Sequence, residues 1–258
     1  MHHVRRGTGA PLLLVHGLGS SWETWETVLD GLAAHREGVA VDLPGFGRTP
    51  PLADKPTIAA LADALAQFMT EHELGRTDTV GSSMGARLVL ELARRGVGGD
   101  TVALDPGGFW TNGERRYFAV SLRASIRLVR RLQPAMPALT DNPVGRTLLL
   151  GQLSARPWAL PADVALREMR SLAQSPSFDD ALDELIDGPL QEGAPPQTTP
   201  GRVTLGWGRS DKVTLPRQAL RAMEKFPAAH LAWFDKSGHF PHWDRPEATV
   251  RLILDRTG

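Results

Sequence analysis

The sequence predicts an α/β protein, a mainly parallel twisted sheet flanked by helices, with a helical cap inserted over the crevice at the strand ends. Three observations carry this. Between residues 11 and 106, short β-rich runs alternate with longer stretches of helical period, the pattern of βα units. From about residue 109 to 200 no strand pattern is visible; Arg-rich amphipathic stretches are broken by Pro134, Pro137, Pro143, Pro157, Pro161 and Pro176. The strand pattern then returns at residues 203–207 and 231–234. The expected organisation is a core of residues 1–108 and 201–258 with a cap of residues 109–200.

The elements follow in order. Leu12-Leu13-Leu14-Val15 is a compact buried strand. Ser20-Ser21-Trp22-Glu23 offers a capping box before apolar positions at Trp22, Trp25, Val28, Leu29 and Leu32; Trp22, Trp25 and Trp110 are candidate walls of an acyl pocket, although the helical spacing of the first two favours core packing. Val39 and Val41 begin a second strand, and Ile58, Leu61, Leu65, Phe68 and Met69 mark an amphipathic helix after Thr57. A further strand enters Gly81. Leu88, Val89, Leu92 and Ala93 define a helix that stops at Gly96, residues 101–104 form the next strand, and the chain closes with a helix from Pro246 carrying Val250, Ile253 and Leu254. The cap arginines are expected to form a solvated helix face.

At 258 residues, with 41% hydrophobic and 22% charged side chains, the chain has the composition of one soluble globular domain. Lys+Arg and Asp+Glu both total 29, so no excess positive charge points to nucleic acid. The absence of cysteine excludes disulfides, thiolate metal sites and a Cys nucleophile. Its N-terminal apolar run is cut at His16, too short for a signal-peptide core or a membrane span, so a cytoplasmic location is expected. No cofactor or metal is expected; the expected partner is a small-molecule substrate, and the oligomeric state is not legible.

The chemistry concentrates in Gly81-Ser82-Ser83-Met84-Gly85, a G-x-S-x-G placed where a strand turns directly into a helix. A Ser thrust out on such a turn needs small neighbours, which Gly81 and Gly85 supply. Because a serine hydroxyl is a weak nucleophile, it needs a base and a group that orients the base. Gly208-Arg209-Ser210-Asp211 and Ser237-Gly238-His239 each follow a later strand, in the order acid then histidine, so Ser83, Asp211 and His239 are the expected catalytic residues. Asp105, ending an earlier strand, remains an alternative acid, and His242 a rival base that lines the pocket or is solvated. The oxyanion is expected to meet the Met84 amide at a helix start and the Leu18 amide in His16-Gly17-Leu18-Gly19, with His16 bracing that loop and Gly17 allowing its turn. Asp42 and Arg48 are expected to fix the neighbouring loop.

Together with Asp42-Leu43-Pro44-Gly45-Phe46-Gly47, these segments resemble the α/β-hydrolase fold superfamily over nearly the whole chain outside the cap. Members share fold and triad but differ in reaction; those that dehalogenate or open epoxides carry Asp at the elbow, so Ser83 implies acyl transfer through a serine ester. Two departures from the pattern stand out. Thr77-Asp78-Thr79 is polar for the strand entering the elbow, and the N-terminus is short for the family's first strand. The resemblance implies a serine hydrolase of a small to medium apolar carboxylic ester. A carbon–carbon bond hydrolase of a diketone-like substrate, suggested by the Trp243-Asp244 pair, and a non-catalytic binder of the same fold stay open.

Overall fold

The computed structural model describes residues 1–258. Seven strands form one sheet: β1 (His3–Arg6), β2 (Pro11–Val15), β3 (Glu37–Val41), β4 (Asp78–Ser82), β5 (Thr101–Leu104), β6 (Val203–Gly208) and β7 (His230–Phe234), in the spatial order β1-β3-β2-β4-β5-β6-β7. Only β1 runs antiparallel, pairing His3 with Val41 and Arg6 with Gly38. The short N-terminus therefore does hold a first strand, four residues long, on the sheet edge, where few residues are needed.

The helices are α1 (Glu26–Ala33), α2 (Ile58–Glu71), α3 (Met84–Arg94), α4 (Asn112–Arg131), α5 (Met136–Asp141), α6 (Pro143–Leu150), α7 (Ala162–Gln174), α8 (Phe178–Asp187), α9 (Gln218–Lys225), α10 (Pro241–Asp244) and α11 (Pro246–Arg256). Strand β2 reads as an unbroken apolar run because both its faces are buried. Leu13 and Val15 face the cluster that includes side chains of α2 and α3, whereas Leu12 and Leu14 face α1 and Ile253 of α11. Trp25 is fully buried in that second cluster, with Trp22 packed against it. The capping expectation needs a correction: the first turn after β2 is a 3-10 helix, Trp22–Trp25, and Ser21, not Ser20, caps it by accepting from the Glu23 amide. Ser20 is drawn instead to Glu168.

The polar entry to β4 has a physical reason at the base of the sheet. Asp78 pairs with the buried Arg36 at 2.8 Å and accepts from the Asp100 amide at 2.7 Å, while Arg36 also donates to the Ala10 and Pro11 carbonyls. Thr79 Oγ1 meets Thr101 Oγ1 on the next strand at 3.2 Å.

Residues 109–200 contain helices α4 to α8 and no strand. Phe118, Ala119 and Ile126 of α4 and Phe178, Leu182 and Leu185 of α8 join the main core, whereas Val129, Met136, Leu150, Val164 and Met169 form a separate cluster closed by Phe240 and Trp243. The arginines of residues 109–200 are only partly a solvated face. Arg123 and Arg130 make surface pairs with Asp183 and Asp179, but Arg146 is buried and donates to the carbonyls of Thr140, Asp141 and Trp158.

Candidate active site

The turn from β4 into α3 is what lifts Ser83 out of the sheet. Its backbone sits at φ 56° and ψ −115°, a left-handed conformation that costs a non-glycine residue roughly 1–3 kcal/mol and persists only where the surroundings enforce it. They do so by close packing. A Cβ on Gly81 would lie 2.2 Å from the Gly85 carbonyl oxygen, and one on Gly85 would lie 2.2 Å from that of Val15. Gly17 approaches Ser83 from the loop after β2, where an added Cβ would stand 3.1 Å from the Ser83 Cβ.

Three loops at the carboxyl ends of the strands meet here. Ser83 Oγ is 2.8 Å from His239 Nε2, and His239 Nδ1 is 2.9 Å from Asp211 Oδ2. Asp211 is further fixed by the Val213 amide at 2.7 Å and the Thr214 hydroxyl at 2.6 Å. Sequence reasoning did not single out Thr214, which also stands 3.3 Å from His239 Nδ1. The Asp211 carboxylate therefore holds the imidazole with Nδ1–H toward itself and leaves Nε2 facing the serine.

Asp105 lies in the same cluster, a carboxylate oxygen of it within 4.8 Å of an Asp211 oxygen and of a His239 ring nitrogen, but it accepts from the Gly208 amide and not from the histidine. It is fully buried, and burial followed by the nearby Asp211 charge raises its pKa well above the ordinary carboxylate range. The Asp211 oxygens are taken up by His239, Thr214 and backbone amides. This geometry is that of a proton-sharing chain.

His242 is neither solvated nor a pocket wall. It is fully buried, packed against Trp25 with ring centroids 4.8 Å apart and the rings tilted by 32°, and bonded to Thr24 Oγ1 at 3.1 Å; burial, then the neighbouring His239, pushes its pKa down to about 3. His16 is also fully buried. Its Nδ1–H donates to the Gly17 carbonyl at 2.7 Å and its Nε2 accepts from the Leu43 amide at 3.0 Å, so the ring ties the loop after β2 to the loop after β3; burial keeps its pKa below the usual histidine value. Asp42 organises that second loop by accepting from the Trp22 and Arg48 amides. The amides of Leu18 and Met84 have no hydrogen-bond partner within the protein, and Leu18 and Ser83 line one cavity.

That cavity, about 50 Å³, is walled by Leu18, Ser20, Val213, Phe240 and Trp243 from the core and by Phe118, Leu122, Leu153, Glu168, Leu172, Phe178 and Leu185 from α4 to α8 and their connections. No Lys or Arg lines it. Trp110 is not part of this wall; it stacks on Phe118 at 4.9 Å. A larger cleft of about 350 Å³ around Asp100, Arg202 and Phe226 lies toward the amino ends of β5 and β6, away from Ser83.

The chain is similar to a dihydrolipoyllysine-residue acetyltransferase component of an acetoin cleaving system from Cupriavidus necator, 29% identical over 269 residues that cover 100% of this chain and 66% of that protein, so it spans about two thirds of that relative's length. It is also similar to a 2-hydroxy-6-oxo-2,4-heptadienoate hydrolase from Pseudomonas putida, 26% identical over 268 residues, 99% of this chain and 91% of the relative. Among solved structures, a thermophilic esterase from Thermogutta terrifontis superposes with a TM-score of 0.76 at 19% identity, covering 98% of this chain and 91% of that one. No helix is long and apolar enough to cross a membrane. The family model described as alpha/beta hydrolase family matches residues 12–252, and the chain belongs to that family.

Proposed function

We propose that this hydrolase cleaves a carboxylic ester of a small to medium apolar substrate through an acyl-enzyme on Ser83. The observation that carries the reading is the continuous chain from Ser83 Oγ to His239 Nε2 at 2.8 Å and from His239 Nδ1 to Asp211 Oδ2 at 2.9 Å, opening onto an apolar cavity. In this reading His239 takes the serine proton as Oγ attacks the carbonyl carbon, and Asp211 stabilises the imidazolium that forms. The Leu18 and Met84 amides, free of other partners, receive the oxyanion. The imidazolium then protonates the departing alkoxide, and a water deprotonated by His239 releases the acid. Residues 109–200 act as a cap, whose helices must separate to admit anything beyond a short acyl chain into so small a cavity.

The heptadienoate hydrolase relative supports a second reading, carbon–carbon bond cleavage. A dienoate is a carboxylate, and a lining without Lys or Arg but with Glu168 offers it no counter-charge, which favours the ester. A panel of p-nitrophenyl and alkyl esters of graded chain length, run beside a vinylogous diketone acid, separates the two. Hydrolysis of short-chain esters, lost by a factor of about 10⁴ or more in Ser83→Ala, is the expected result. Turnover of the diketone acid alone overturns the ester reading, and a Ser83 that a fluorophosphonate fails to label favours a non-catalytic binder.

A further inference from the structure

The proton chain leaves one ionisable side chain in the cavity wall without a task. Glu168, on α7, is 5% exposed and faces the same cavity as Ser83 and His239. Its Oε2 accepts from Ser20 Oγ at 3.0 Å, and Thr24 stands nearby. No cation is bonded to it: Arg167, the adjacent residue on the helix, pairs with Glu26 and Asp163, and at Glu168 its charge is opposed by that of Glu23. Burial, the largest influence, pushes its pKa up to about 7.

A buried carboxyl with no counter-ion is costly, and a hydroxyl-bearing or amide side chain could brace Ser20 as well. Its place in the wall of the reaction cavity accounts for it if the counter-ion arrives with the ligand. The remaining lining supplies an apolar body's surroundings, with Phe118, Phe178, Phe240 and Trp243 among it. We propose that Glu168 is a specificity residue that selects esters carrying a protonated amine. This rests on the serine-ester reading and narrows its substrate class to amino-alcohol or amino-acyl esters with an otherwise apolar body. An arriving ammonium stabilises the ionised carboxylate, so preference for the amine strengthens as pH rises from 6 to 8, while a primary or tertiary alkylamine stays charged.

The test uses matched pairs in the full chain. Hydrolysis of 4-(dimethylamino)butyl acetate is compared with that of its carbon isostere 5-methylhexyl acetate, and protection of Ser83 from a neutral fluorophosphonate by n-butylammonium with that by n-butanol. The parent is expected to favour the amine by about 10- to 100-fold in both assays, the range for a hydrogen bond to a charged group. Glu168→Gln, nearly isosteric, erases the preference, read as the ratio of amine to isostere kcat/KM within the variant; Glu168→Leu, which closes the wall with apolar atoms, does the same. Equal treatment of amine and isostere by the parent, or a preference that survives both substitutions, overturns the proposal and leaves Glu168 as a brace for Ser20. Failure of Ser83 to react with the fluorophosphonate overturns the serine-ester reading, and this proposal with it.

Discussion

Two buried carboxyls stand beside the same imidazole, and their surroundings differ. Asp211 collects N–H and O–H donors, from Val213, Thr214 and His239. Asp105 has one amide donor, from Gly208, and burial followed by the nearby Asp211 charge raises its pKa well above the ordinary carboxylate range. Asp211→Asn is therefore expected to lower kcat/KM by about 10⁴, the magnitude for a triad acid replaced by its amide, with the imidazole tautomer reversed. Asp105→Asn, which keeps the acceptor for Gly208, should leave kcat/KM within about tenfold; a loss at Asp105 as large as that at Asp211 would reassign the acid. Initial rates on one activated ester decide it. Ser83, Asp211 and His239 were legible in the sequence because each sits in a short segment whose glycines are forced by backbone contact. Glu168 was not. In Leu166-Arg167-Glu168-Met169-Arg170 it reads as an ordinary solvated helix residue, and only a contact with Ser20, 148 positions away, buries it.

At the scale of elements, the histidine loop is held as much by residues 153–155 as by the sheet. The His239 amide donates to the Leu153 carbonyl at 2.8 Å. Asp244, the last residue of α10, accepts from the Gly238 amide at 2.7 Å, the Ala155 amide at 2.8 Å and the Ser154 hydroxyl at 2.5 Å, stitching the chain after α6 to the loop that bears His239. Asp244→Ala strands the buried Gly238 amide and the Ala155 amide beside it, each costing about 1–3 kcal/mol. The expected outcome is a lower urea midpoint, faster hydrogen exchange confined at first to residues 153–156 and 237–239, and kcat/KM reduced more than tenfold through a displaced imidazole. Unchanged exchange in those two segments would show that the sheet alone positions His239. The helix boundaries of this region were legible where Pro137 and Pro143 open α5 and α6, since proline is tolerated in a first turn. Which faces turn inward was not: α4 divides its apolar side between the main core through Phe118 and Ile126 and the smaller cluster through Val129, a split that depends on its neighbours. Helix α9 went unread because its buried positions are the polar Gln218 and the small Ala219 and Ala222, which leave no apolar stripe of helical period.

Over the whole molecule, two buried groups set opposite slopes on stability against pH. His242 has its pKa pushed down to about 3 from an ordinary 6.5, so between these values the unfolded chain binds a proton that the folded chain refuses. Stability from this source is complete above about 6.5 and is lost as pH falls toward 3. Glu168 works the other way. With its pKa pushed up from 4.5 to about 7, the folded chain holds a proton that the unfolded chain releases, so stability is complete below about 4.5 and declines as pH rises to 7. Between about 4.5 and 6.5 the two slopes oppose each other. His16, lowered by burial, reinforces the first, and Asp105, raised by burial, the second. Removing one group should expose the other. Relative to the parent, Glu168→Gln is expected to gain nothing at pH 4.5 and an increment that grows to on the order of 1–3 kcal/mol by pH 8, the upper end set by the size of the shift and the lower by the cost of burying an amide. His242→Phe forfeits the bond to Thr24 at every pH but should lose less stability than the parent on acidification from 6.5 to 4. Urea midpoints at half-unit pH intervals measure both differences. Parallel curves for parent and Glu168→Gln across pH 4.5 to 8 would mean that the carboxyl has an ordinary pKa in the folded chain, and that water or a counter-ion reaches it through the cavity.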